Sequence, residues 1–113
     1  MKFAMFILHG DDSVTAEDET AAPSLEDWVA EAGERYLQGV RLLDPPEGRT
    51  VARRGGRTLV TDGPFAETRE WIAGFAILEC ESLEEAVELA GRNPAASYGR
   101  VEVRPVHSST LED

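Results

Sequence analysis

Two stretches of the chain are apolar on both parities of an extended strand. From Lys2 to His9, Phe3, Met5 and Ile7 alternate with Ala4, Phe6 and Leu8. From Trp71 to Cys80, Trp71, Ala73, Phe75 and Ile77 oppose Ile72, Ala76, Leu78 and Cys80. Strands that are apolar on both faces are expected where both faces are buried. Ser24, with Asp27 three residues on, opens a helix whose apolar stripe is Leu25, Trp28, Val29, Ala32 and Tyr36, and Gly39 is placed to end it. Val40–Leu43 reads as a short strand stopped by Asp44-Pro45-Pro46. Arg49–Arg53 and Arg57–Thr61 flank Arg54-Gly55-Gly56 and predict a hairpin with a glycine turn. Ser82-Leu83-Glu84-Glu85 is a capping box for a second helix striped by Leu83, Ala86, Val87 and Ala90, which Asn93-Pro94 ends. Arg100–Val106 alternates as a last strand.

The order β-α-β-hairpin-β-α-β predicts an α+β fold of ferredoxin-like βαββαβ type with an inserted hairpin. Two short helices cover only one face of such a sheet. The chain holds nothing else to cover the second, and a contiguous exposed apolar face is a liability in a monomer. The pattern therefore predicts a homodimer packed sheet to sheet. Residues 1–106 read as a single domain, with 107–113 as a polar tail.

At 113 residues with 42% hydrophobic and 29% charged, the chain has room for one core. No apolar run reaches bilayer length, and the apolar residues after Met1-Lys2 are too few for a secretory leader, so the expectation is a cytoplasmic protein that does not enter membranes. The single cysteine, Cys80, excludes an internal disulfide and cysteine-based zinc clusters. It lies between Glu79 and Glu81, which disfavours the thiolate. A net charge of −11 argues against nucleic acid and anionic membranes. Charge is uneven: positions 11–34 hold nine acidic residues and no basic one, whereas positions 49–57 hold four arginines and no acid. The arginine hairpin is either a solvated surface or a docking loop for a partner.

Candidate chemistry is sparse. His9, at the end of the first strand and on the face of Phe3, Met5 and Ile7, is placed to serve as a base or acid, or simply to bond a backbone carbonyl. His107, beside Ser108, reads as solvated. Thr61-Asp62-Gly63-Pro64-Phe65 favours a turn in which the Asp62 carboxylate either accepts backbone N–H groups or stands at a pocket mouth and orients His9. Glu67 and Glu70 follow, and Trp71 closes the segment. A pocket between the first helix, the end of strand one and this turn would be lined by Trp28, Tyr36, Gly63, Pro64, Phe65, Glu67 and Trp71, and suits a small polar aromatic ligand. His9, Asp11, Asp12 and Glu67 lack the two or three histidines of most catalytic zinc or iron sites, so no metal or other cofactor is expected. Gly55-Gly56 is followed by strand rather than helix, unlike a phosphate cradle.

The block from Gly56 through Thr61-Asp62-Gly63-Pro64-Phe65 to Glu70 resembles the signature of the DGPF subgroup of YCII-related proteins. A second block agrees, Asn93-Pro94-Ala95-Ala96 followed by Tyr98-Gly99-Arg100-Val101-Glu102-Val103-Arg104-Pro105-Val106. The resemblance implies a dimeric α+β barrel and a family whose members mostly lack an established activity. Members often occur beside extracytoplasmic-function sigma factors, implying a regulatory context and a regulatory protein partner. One branch of the wider family holds a dehydrochlorinase with a His-Asp pair proposed as its active site. Asp62 falls near the expected acid, while the stretch around Trp28 holds no histidine, leaving His9 as the substitute. Three readings result: a small-molecule-binding accessory or sensing dimer, a cofactor-free lyase or isomerase using His9 and Asp62, and a partner-docking module that uses the arginine hairpin.

Overall fold

The computed structural model describes residues 1–10, 22–63 and 70–108. Its elements run β1 (Lys2–Gly10), α1 (Leu25–Ala32), β2 (Tyr36–Arg41), β3 (Arg49–Arg54), β4 (Arg57–Asp62), β5 (Glu70–Glu79), α2 (Leu83–Gly91), α3 (Ala95–Tyr98) and β6 (Arg100–Pro105), with 3-10 turns at Gly33–Arg35 and Pro45–Glu47. β1, β2, β5 and β6 form one antiparallel sheet in the order β2-β5-β1-β6, and β3 pairs with β4 as a separate two-stranded hairpin. With the hairpin set aside, this is the ferredoxin-like order, and the α+β expectation holds.

The two strands that are apolar on both parities sit side by side in the middle of the sheet, where neither edge is free. Cross-strand partners share a face. Phe3 faces Leu78 and Met5 faces Ala76, and all four are buried beneath Trp28 and Ala32 of α1 and Ala86, Leu89 and Ala90 of α2. Val101 and Val103 of β6 pair with Ile7 and Met5 and extend this core. The helices are tied to one another as well as to the sheet. Trp28 Nε1 donates to the Leu89 carbonyl at 2.8 Å, and Arg92 pairs with Glu31 of α1 and Glu88 of α2. Both helices start as the capping pattern predicts, with Ser24 Oγ accepting from Asp27 N–H and Ser82 Oγ from Glu85 N–H.

The opposite face carries Phe6 and Leu8 of β1, Ile72, Phe75 and Ile77 of β5 and Val40 of β2. Neither helix lies on that side, so the strip stays half-buried to exposed, with Ile72 at 47%. The polar partners on β6, Glu102 and Arg104, edge the strip.

Three boundaries differ from the sequence expectation. The first helix ends at Ala32 rather than Gly39, because Gly33 takes φ +57°, a left-handed conformation open to glycine. Tyr36 therefore belongs to the second strand, Tyr36–Arg41, which begins earlier than the expected Val40. Its ring still reaches the core and meets Trp28 edge-on at 5.8 Å, so period-four spacing continued past the helix end. The segment after Asn93-Pro94 is a short helix, Ala95–Tyr98, with the Asn93 carboxamide oxygen accepting from Ala95 N–H.

Candidate functional site

Position 73 decides what stands beside His9. The β1–β5 register runs Ile7 to Gly74 and then Leu8 to Ile72, so Ala73 is an extra residue in β5. A bulge of one residue reverses the alternation beyond it. Trp71 thereby leaves the parity of Phe75 and Ile77 and comes opposite His9. The two rings meet edge to face with centroids 6.3 Å apart. His9 is exposed, and Trp71 is half-buried. On the other face of the same strand ends, where Arg100 pairs with Leu8 and Glu70 with Gly10, Arg100 Nε lies 3.5 Å from a Glu70 carboxylate oxygen. Behind His9 the backbone is tightly packed: a Cβ placed on Gly99 would fall 2.3 Å from the Leu8 carbonyl oxygen and 3.6 Å from His9 Cα. The His9 face of the sheet end thus presents an imidazole and an indole on a rigid backing.

The other expected lining residues are distributed differently. Trp28 is buried to 1% and spends its only donor on Leu89, so it forms core rather than pocket wall. Tyr36 packs against the same core, with its phenol laid over Gly39, whose Cβ position that phenol occupies. Asp62 closes the hairpin root. It faces Arg49, its carboxylate 3.1 Å from Arg49 Nε, and its side chain is 89% exposed. None of the described contacts joins it to His9. Gly63 is buried at φ +73°, donating to the Gly48 carbonyl and accepting from Thr50 Oγ1 at 2.8 Å, so this glycine locks the turn back onto the hairpin. Pro64, Phe65 and Glu67 lie outside the described residues, as do Asp11 and Asp12. Sequence reasoning placed Trp71 near His9 in the site but on the wrong parity of the strand. The bulge that joins them leaves no mark in the composition of Trp71–Cys80.

Burial pushes the Cys80 thiol above its ordinary pKa, and the neighbouring Glu85 carboxylate pushes the same way. A neutral, enclosed thiol of this kind is packing rather than a nucleophile. No helix among the described residues is long and apolar enough to cross a membrane.

The family model of the YCII-related domain matches residues 1–109. An uncharacterised protein of Rhizobium meliloti (strain 1021) is 36% identical over 110 residues, covering 88% of each chain. Among solved structures, the 5-chloro-2-hydroxyhydroquinone dehydrochlorinase of Burkholderia phenoliruptrix AC1100, in complex with 2,5-dihydroxybenzoquinone, is similar at a TM-score of 0.46 and 16% identity, over 95% of this chain and 94% of that one.

Proposed function

The chain belongs to the family of YCII-related domains, and from that premise we propose that it is a small-molecule-binding accessory or sensing protein working as a homodimer. Its ligand sits at the end of the sheet, against His9 and Trp71. The observation that carries this reading is the exposed His9 ring standing edge-on to Trp71. An indole offers an apolar, polarisable face to a flat ligand, and an exposed imidazole offers both a donor and an acceptor. Together these suit a small aromatic compound with hydroxyl groups.

The homodimer is supported by the uncovered strip from Phe6 to Ile77. A second copy laid on that strip would turn a half-buried face into an interior. The DGPF motif at Asp62–Phe65 favours the regulatory context of that subgroup over a metabolic one. The lyase or isomerase reading has Asp62 orient the His9 imidazole. Asp62 is instead held by Arg49 at the hairpin root, which favours binding without turnover.

A thermal-shift screen against quinols, chlorophenols and common metabolites, with product analysis of each hit, tests this. A ligand present at about one hundred times its dissociation constant adds about 2.7 kcal/mol of stability. The hit should stabilise wild type and Asp62→Asn alike, lose its effect in Trp71→Leu and in His9→Ala, and be recovered unchanged. A hit that stabilises Trp71→Leu as well as wild type removes the proposed site. One that is consumed by wild type but not by His9→Ala replaces the binding reading with the lyase.

A further inference from the structure

The β3–β4 hairpin stands off the body of the protein. Every residue of β4 is exposed, and in β3 only Thr50 and Ala52 are partly covered. Among the described elements, the hairpin's one extensive packing partner is itself, strand on strand. The radius of gyration, 16.2 Å, exceeds the roughly 13 Å of a compact chain of this length, as an outlying arm requires.

An isolated two-stranded hairpin is marginal in water. This one is also apolar in its middle on both faces. Val51 pairs with Val60, exposed at 64% and 62%, and the next rung pairs Ala52 with Leu59, itself 50% exposed. Successive rungs point to opposite sides, so no single face can be assigned to solvent. Beyond these rungs come Arg53, Arg54 and Arg57, around a turn in which Gly55 and Gly56 take positive φ. None of those three arginines enters an ion pair among the described residues, whereas Arg49 at the root has Asp62. All 22 acidic residues of the chain lie outside the arginine segment, against seven basic ones. Exposed acids of the helix layer include Glu26, Asp27, Glu34, Glu81 and Glu84.

We propose that the arm is a clasp between subunits: it packs on a second copy of this chain, its apolar rungs against apolar surface and its tip arginines against that copy's acidic side chains. The charge argument selects a second copy. A segment with four positive charges and no negative one is complementary to the body it is attached to, and its reach is away from its own body. The inference rests on the homodimer reading and adds a second contact to the sheet-face interface.

The test is sedimentation equilibrium of the full chain over a dilution series, in low and high salt. The variants are Val51→Ser with Val60→Ser, Arg53→Glu with Arg54→Glu and Arg57→Glu, and separately Phe75→Arg on the open sheet face. Far-UV circular dichroism and thermal midpoints report on folding, which the arm variants should leave intact because the arm lies outside the core. The expected result is a dimer dissociation constant at least about tenfold higher in either arm variant. It should rise with salt in wild type and fall with salt in the glutamate variant, whose tip repels the acidic side chains until salt screens them. Arm variants that dimerise as tightly as wild type overturn the clasp and leave the arginines to a different acidic partner. If Phe75→Arg alone breaks that dimer, the sheet-face reading stands without the clasp. If the arm variants break it and Phe75→Arg does not, the clasp stands and the sheet-face interface falls. A wild type that is monomeric at every concentration overturns both.

Discussion

Replacing Gly99 with alanine isolates a single steric contact. The φ of Gly99 is −161°, away from the positive-φ region that favours glycine. The added methyl group meets the Leu8 carbonyl oxygen at 2.3 Å, where real Cβ contacts stop near 3.0 Å, so the two backbones must part by about 0.7 Å. Neither side yields easily. Leu8 is held between β5 and β6, paired with Ile72 and Arg100, and Gly99 links α3 to the start of β6. Overpacking of this kind costs about 1–3 kcal/mol, and weakening the last β1–β6 hydrogen bond adds about 1 kcal/mol. The expected loss is about 2–4 kcal/mol, a substantial share of the roughly 5–15 kcal/mol that stabilises a domain. Gly91 provides the internal contrast, because a Cβ there meets nothing within 4 Å. Gly91→Ala sits at the end of a helix and should gain up to about 1 kcal/mol through the unfolded state and helix propensity. Urea denaturation of both variants beside wild type, with equal slopes, reads the two effects directly. A Gly99→Ala midpoint indistinguishable from wild type would refute the close approach of β1 to the start of β6, and with it the rigid backing behind His9.

Trp28→Phe should lose about 2 kcal/mol, about half from the missing hydrogen bond to the Leu89 carbonyl and half from the residual cavity; urea midpoints check it, and a loss under about 0.5 kcal/mol would mean that Trp28 is not the inter-helix tie. Ser82→Ala removes the acceptor for Glu85 N–H and should cost about 1 kcal/mol on the same assay. The Cys80 pKa is raised by burial and by Glu85, so the folded state holds its thiol proton more tightly than the unfolded chain does. Its contribution is therefore complete below the unfolded thiol's pKa of about 8.5 and is lost as pH climbs through the folded pKa above it; Cys80→Ala should flatten that alkaline slope in urea titrations run at successive pH values.

Much of the fold was legible because the two central strands declare themselves. A segment apolar on both parities fits only the middle of a sheet with something on each side, and β1 and β5 are those strands. The capping serines and the glycine turn of the hairpin were equally readable, since each depends on chemistry within four residues. Tyr36 was not, because it keeps the i+4 spacing of Trp28 and Ala32 while lying in a strand. Only the left-handed Gly33, one glycine among ten, separates the two cases. Nothing in the sequence separates Asp62 as a partner for His9 from Asp62 as a hairpin-root residue. Its neighbour is set by the hairpin register, which puts Arg49 directly across.

The same distinction explains the site. Parity along a strand can be counted from sequence only while the strand is regular, and one inserted residue reverses everything beyond it. In β5 the insertion is Ala73, and the reversal carries Trp71 from the open apolar face to the side of His9. Without it, the indole would join Phe75 in the open apolar strip, and His9 would stand on the helix side without an aromatic neighbour. The bulge therefore divides β5 by task. From Phe75 to Leu78 the strand alternates between the open face and the core, and Trp71, beyond the irregularity, turns with His9 to the helix side. A bulge at the end of a central strand re-aims side chains at small expense to the ladder. Here it separates the open apolar face from the side of the sheet that carries His9, so that under the proposed function mutations at Phe75 and Trp71 should fail in different assays although four residues part them.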